Sequence, residues 1–254
     1  NEQLDKLNWF TDETSYNFVD MVGNIGKFTS NNVSLEDSVT AMQGISTWAA
    51  KSGANTTEAS RAMYNLSQAI SVGSVKLMDW KSIENANMAT AEFKEMAMET
   101  AAELGTLTKV TDELYKTNKG TEVSVSSFNQ TLADEWFTSE ALIDTLGKYG
   151  EFTNKLYETM EEVDVDTASK MLTYIEEFKD GTIDINAAAD DAGVSVARMK
   201  EILTELGDPA LDFGRKAFKA AQEAKTFSEA IDATKDAVSS QWMNTWEIIF
   251  GDYE

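Results

Sequence analysis

The chain has 254 residues, of which 42% are hydrophobic and 26% charged, so it is long enough and apolar enough to bury a core. It contains no histidine and no cysteine, which excludes disulfides, the usual zinc sites and Ser-His-Asp or Cys-His catalysis. The formal net charge of −23 excludes nucleic-acid binding driven by charge, because phosphates would be repelled.

The spacing of apolar residues indicates helix nearly everywhere. Apolar positions recur every three or four residues, glycines interrupt the pattern often, and the chain has a single proline. These features predict an all-α fold, a compact array of about eleven to thirteen short amphipathic helices with little or no sheet. Only residues 121–125 and 182–185 have the character of extended segments.

Helix boundaries are marked along the chain. Capping-box spacing predicts helix starts at Ser34 with Asp37, at Asn55 with Glu58 and at Thr226 with Glu229. Glycines, which adopt left-handed backbone easily, are expected to end helices. These glycines are Gly53, Gly73, Gly105, Gly120, Gly181, Gly193, Gly207 and Gly251.

Three stripes of apolar residues are candidates for the core. The first comprises Leu35, Val39, Met42, Ile45 and Trp48. The second, less regular, comprises Met160, Val163, Ala168, Met171, Leu172 and Ile175. The third is the most aromatic and comprises Trp242, Trp246, Ile249, Phe250 and Tyr253. Aromatic residues at helical spacing are core residues in most proteins, but they also anchor interfaces.

Two breaks in the periodicity divide the chain into three predicted modules. TNKGTE separates residues 1–120 from a middle helical module at 121–208, and Gly207-Asp208-Pro209 precedes the aromatic helices at 209–254. A single domain is the alternative. The chain begins at Asn1 without Met and stops inside a helical pattern, so we expect it to be a fragment of a longer polypeptide.

Three segments resemble the tape measure proteins of long-tailed bacteriophages. Residues 39–105 contain the phrases MQGIS, SGA, EASRAMYNLSQA and DWKSIENANM. Residues 132–153 read LADEWFTSEALIDTLGKYGEFT, and residues 209–254 end in WEIIFGDYE. Together they cover about half of the chain. Within the first segment, the residues that characterise the resemblance are Gly44, Trp48, Gly53, Asp79, Trp80 and Asn85.

The resemblance implies a structural role without enzymatic activity or cofactor. A tape measure protein is made in the host cytoplasm, sets the length of the tail tube during assembly, lies in the tail lumen or tip and leaves at genome ejection. The implied partners are further copies of the chain, the tail tube protein, tail assembly chaperones and tail tip proteins. We expect Trp242, Trp246, Phe250 and Tyr253 to contact such a partner.

Two other segments match the sequence patterns of known binding sites only in part. Residues 176–187 resemble a calcium loop but place Phe178 and Ala187 where oxygen ligands are needed, so a turn between helices is expected. Residues 187–202 resemble a helix-turn-helix but carry acidic residues, which favours an αα-hairpin without specific nucleic-acid binding. No run of residues is long and apolar enough to predict a membrane span. The alternative functions are a peptidoglycan hydrolase used at infection, or a helical adaptor.

Overall fold

The computed structural model describes residues 2–14, 16 and 18–226. Twelve α-helices and a small three-stranded sheet lie within these residues, so the predicted all-α array of short helices is confirmed. The first six helices are α1 (Glu2–Glu13), α2 (Phe18–Thr29), α3 (Leu35–Lys51), α4 (Thr56–Val72), α5 (Leu77–Asn85) and α6 (Ala91–Glu103). The others are α7 (Phe128–Thr131), α8 (Ser139–Glu162), α9 (Ala168–Asp180), α10 (Ile185–Asp191), α11 (Val196–Leu206) and α12 (212–226).

Helix α3 lies at the centre of the core. It packs against α1, α2, α4 and α8, and every residue from Ala41 to Ala49 is buried. The residues of the predicted stripe are therefore in the core, except for Leu35, which is half-buried. The interpretation of α3 as an amphipathic helix is wrong, because its central residues are buried on every face. Polar residues such as Gln43 and Ser46 are buried on the faces that the pattern assigned to solvent.

Predicted helix ends are mostly confirmed by backbone geometry. Ser34 and Asn55 accept hydrogen bonds from the amides of Asp37 and Glu58 and so begin α3 and α4. Left-handed glycines follow six helices or turns, at Gly53, Gly73, Gly105, Gly120, Gly181 and Gly193. Gly53 closes α3 with a pair of bonds, since its own amide donates to Ala50 O and the next amide donates to Ala49 O.

Two predicted boundaries differ, and the confirmed helix end at Gly207 has a backbone conformation other than the expected one. Gly120 lies in the turn between β2 and β3 and not at a helix end, because its amide donates to Thr117 O. Gly207 ends α11 in a right-handed conformation, with φ −84°. Thr226 lies within the helical stretch 212–226, where its hydroxyl donates to Gln222 O, and so does not begin a helix. Glu229 and Gly251 are outside the described residues.

A short antiparallel sheet follows α6. Its strands are β1 (Leu107–Lys109), β2 (Tyr115–Thr117) and β3 (Glu122–Val123), in the order β1-β2-β3. The predicted extended segment at 121–125 contains β3, whereas β1 and β2 were not predicted. Residues 182–185, which were also expected to be extended, form no strand: residues 182–184 are a short loop in which Asp184 has extended backbone angles, and Ile185 is the first residue of α10.

The predicted modules contact one another. Helix α3 belongs to residues 1–120 and α8 to residues 121–208, and these two helices pack along their lengths. Of the third module, only residues 209–226 are described. The division into three modules stays a prediction.

Candidate functional site

One motif residue of the first resembling segment, Gly44, lies at the crossing of α3 and α8. At Gly44 the backbone of α3 approaches the carbonyl group of Leu146 so closely that a Cβ would lie within 3.0 Å of its oxygen. A Cβ at Gly150 would likewise lie within 3.0 Å of the carbonyl oxygen of Thr40. The hydroxyl of Thr40 also accepts a hydrogen bond of 2.6 Å from Asn154 Nδ2. Two glycines, one on each helix, therefore allow the backbones to meet.

Trp48 joins this crossing to α6. It is 1% exposed, and its ring stacks on Phe93 with 3.7 Å between centroids and 11° between planes. Tyr149 of α8 lies 6.3 Å from the Trp48 ring and 5.9 Å from the Phe93 ring. Stacked aromatic pairs add roughly 0.5–1.5 kcal/mol beyond the area that they bury. These three rings therefore bind α3, α6 and α8 together.

Trp80 extends the aromatic cluster on the other side of Phe93. Its ring lies 5.9 Å from Phe93, 4.7 Å from Phe128 and 6.4 Å from Phe137, and it is fully buried. Asp79 begins α5 by accepting a 3.1 Å hydrogen bond from the Lys76 amide. The motif DWKSIENANM thus contains both a residue that caps a helix and a tryptophan that is buried in the core.

The remaining motif residues are peripheral. Gly53 only terminates α3, and Asn85 is exposed at the last position of α5. The structure therefore brings Gly44, Trp48 and Trp80 into one packed core and leaves Asn85 at the surface. The predicted interaction residues Trp242, Trp246, Phe250 and Tyr253 lie outside the described residues.

A groove runs beside the α3–α8 crossing. Two adjoining cavities of about 350 and 320 Å³ share Asp37, Ile143 and Asp144 in their walls. Burial and the nearby carboxylates of Glu140 and Asp37 raise the pKa of Asp144. Lys148 also lines the groove but is paired with Glu103 at 2.9 Å. Sequence reasoning missed this groove, because its acidic residues come from separate helices.

The segments weighed as ion or DNA sites are turns between helices. Gly181 ends α9, and the Asp184 side chain caps α10, so the calcium-like segment joins two helices as predicted. Gly193 lies between α10 and α11, which form the expected hairpin. On that hairpin Arg198 is held by Glu162 at 2.6 Å and by Glu201 at 3.3 Å.

Within residues 2–14, 16 and 18–226, no three His, Cys, Asp or Glu side chains are grouped closely enough to hold a metal ion. No helix in these ranges has the length and hydropathy to cross a membrane. Comparisons with protein-family models, curated proteins and solved structures gave no match to this chain. A functional assignment must therefore rest on the residues themselves.

Proposed function

We propose that this chain is a helical segment of the tape measure protein of a long-tailed bacteriophage. In this role it is a structural component of the tail, which takes part in setting tube length during assembly and is released when the genome is ejected. It acts without a cofactor and without catalysis. It is synthesised in the bacterial cytoplasm and resides in the tail lumen or tip.

One observation carries the proposal. The sequences of residues 39–105, 132–153 and 209–254 resemble segments of that family, and they follow one another in the expected order. The first two of these segments supply most of α3 and most of α8, which cross at Gly44 and Gly150. The segments that resemble the family thus contain Gly44 and Gly150, the two glycines that this close packing of helices requires. This coincidence supports a shared fold in preference to a chance similarity of helical composition.

Partners follow from the same proposal. The chain associates with further copies of itself and with the tail tube protein, and it meets assembly chaperones and tip proteins before and after polymerisation of the tube. Trp242, Trp246, Phe250 and Tyr253 are the residues that we assign to these contacts. Large aromatic side chains dominate the binding energy of most protein interfaces.

Quantitative mass spectrometry of purified phage particles tests the assignment. We expect peptides of this chain in mature particles, in a fixed ratio to the tube protein, and we expect their loss from particles that have ejected their DNA. A chain found only in the lysate, with none in particles, would contradict a tail component. A chain retained in emptied particles would contradict release at ejection.

The hydrolase alternative needs a protonated glutamate in a cleft. Burial raises the pKa of Glu13, which accepts a 2.8 Å hydrogen bond from Gln222 beside a groove between α9 and α12. We therefore propose Glu13→Gln as the variant for a peptidoglycan assay. Lysis by the native chain that this variant loses would favour the hydrolase over the structural role. The adaptor alternative would be favoured by a cellular partner that binds the chain in uninfected bacteria.

A further inference from the structure

Three exposed apolar residues lie where α4 ends and α5 begins. Val72 is the last residue of α4 and is 64% exposed. Leu77 and Met78 are the first two residues of α5, and they are 41% and 85% exposed. None of the three belongs to the α3–α8 crossing or lines the groove beside it. The side chain of Met78, which ends in a thioether, is therefore open to solvent.

The other methionines that the structure describes are shielded from solvent. Met160 is half-buried, and eight more are buried, with at most 5% of each residue exposed. These eight are Met21, Met42, Met63, Met88, Met96, Met98, Met171 and Met199. Met243 lies outside the described residues. Because a dissolved oxidant reaches an exposed sulfur directly and a buried one only after local opening, Met78 differs from these nine in reactivity.

Helix α5 is held in place by residues other than Met78. Trp80 and Ile83 are its buried residues, and the Asp79 carboxylate accepts a 3.1 Å hydrogen bond from the Lys76 amide at its start. An oxygen atom added to the Met78 sulfur would therefore meet water, and the helix can keep its position. In a buried methionine the same oxygen would place a polar group in the core, which is unfavourable.

We propose that Met78 is a site of reversible oxidation by hydrogen peroxide. The sulfur attacks one peroxide oxygen, and a sulfur–oxygen bond forms as the oxygen–oxygen bond breaks. The hydroxide that leaves takes the proton of the transferred oxygen and becomes water. The thioether is thus oxidised to a sulfoxide and the peroxide is reduced.

The modification changes the polarity of this part of the surface and leaves the fold intact. A sulfoxide is polar, so Met78 would no longer add to the exposed apolar surface that Val72 and Leu77 also provide. Methionine sulfoxide reductases, one for each sulfoxide epimer, return the thioether. This reactivity does not depend on the phage assignment.

Peptide mapping by mass spectrometry, after brief treatment of the full folded chain with hydrogen peroxide, tests the proposal. We expect Met78 sulfoxide to form at least about tenfold faster than the sulfoxide of any of the eight buried methionines, because these react only in an opened state. The melting temperature should change by less than about 2 °C, as for a surface substitution. Retention in hydrophobic-interaction chromatography should decrease, and the two reductases together should restore it.

Met78→Leu removes the sulfur and keeps an apolar side chain of similar size, so this variant should lose the early change in retention. The matched control is Met160→Leu on α8, which should keep that change because Met160 is half-buried. Oxidation of a buried methionine as fast as that of Met78, or an unaltered change in retention in Met78→Leu, would overturn the proposal. A change in retention that the reductases do not reverse would contradict a reversible site.

Discussion

Gly44 and Leu146 meet where the two central helices cross, and there is no room for a side chain between them. A Cβ at Gly44 would lie within 3.0 Å of the Leu146 carbonyl oxygen. Because the obstructing atoms belong to the backbone of α8, rotation of a side chain cannot relieve the clash. We therefore expect Gly44→Ala to destabilise the fold by about 3 kcal/mol or more, at or above the usual range for overpacking. Chemical denaturation of the purified variant measures this loss.

Gly147 provides the matched control, because it lies on α8 one residue beyond Leu146. No atom outside its own helical backbone comes within 4 Å of a Cβ at this position. Gly147→Ala should therefore be stabilising by roughly 0.5–1 kcal/mol, as expected for alanine in a helix. Equal losses at both positions would show that glycine is needed in α8 for another reason than close packing.

Two threonines on α8 give a test of the buried polar groups. Thr145 and Thr153 are both fully buried, but only Thr145 has a hydrogen bond, of 2.6 Å to Ala141 O. Thr145→Val should lower the free energy of unfolding by about 1 kcal/mol, whereas Thr153→Val should raise it by about the same amount. Thermal denaturation of both variants measures the difference. A loss in Thr153→Val equal to that in Thr145→Val would mean that the Thr153 hydroxyl has a partner.

Asp144 predicts a pH dependence of stability. Its pKa is raised in the folded state by burial and by Glu140 and Asp37, so the folded protein holds this proton more tightly than the unfolded chain does. The ionised carboxylate thus destabilises the fold at neutral pH, and this effect fades as the pH falls through the folded pKa. We expect Asp144→Asn to raise the melting temperature at pH 7 and to have less effect at acidic pH.

Glu162→Gln is the control for this change, because it removes one negative charge from an exposed position on the same helix, outside the walls of both cavities. It should give no gain at pH 7, since the Glu162 carboxylate lies 2.6 Å from Arg198. A gain in Glu162→Gln as large as in Asp144→Asn would assign the effect to net charge and not to the groove.

The aromatic residues near the end of the chain predict self-association. In the proposed tail protein Trp246 contacts another copy or another tail protein, so Trp246→Asp should shift the full chain towards monomer in analytical ultracentrifugation. Asn244→Asp adds the same charge and keeps the aromatic residues, and it should leave the oligomeric state unchanged. An unchanged oligomeric state in Trp246→Asp, together with normal virions, would contradict the assignment.

Helices and their ends could be predicted because they depend on local chemistry. Asn55 and Glu58 begin α4 with a capping box, and Gly53 and Gly181 follow α3 and α9 in left-handed backbone conformation. Both signals involve only residues that are neighbours in the sequence. The burial of α3 could not be predicted in the same way. Gln43 and Thr47 are polar, and only the packing of four other helices places them inside.

Strands and pockets depend on contacts between distant residues. Strands β1 and β2 have three residues each, which is too short for an alternating pattern to stand out. The pocket lined by Tyr115 is formed by a helix, a turn and a sheet, so no motif in the sequence indicates it. Similarly, Asp37 and Asp144 face one groove although 107 positions separate them in the chain.

Electron microscopy of tail length tests the central claim most directly, in a phage that carries an in-frame deletion of residues 34–105. These residues include α3 to α6, so their loss removes the helix on which α8 packs. We predict that tails are absent or defective. Tails of otherwise normal form that are shorter by at most about 110 Å, which is ~1.5 Å for each deleted residue, would instead mean that the segment is an extended ruler. Tails of normal length with full infectivity would contradict an essential structural role for this segment.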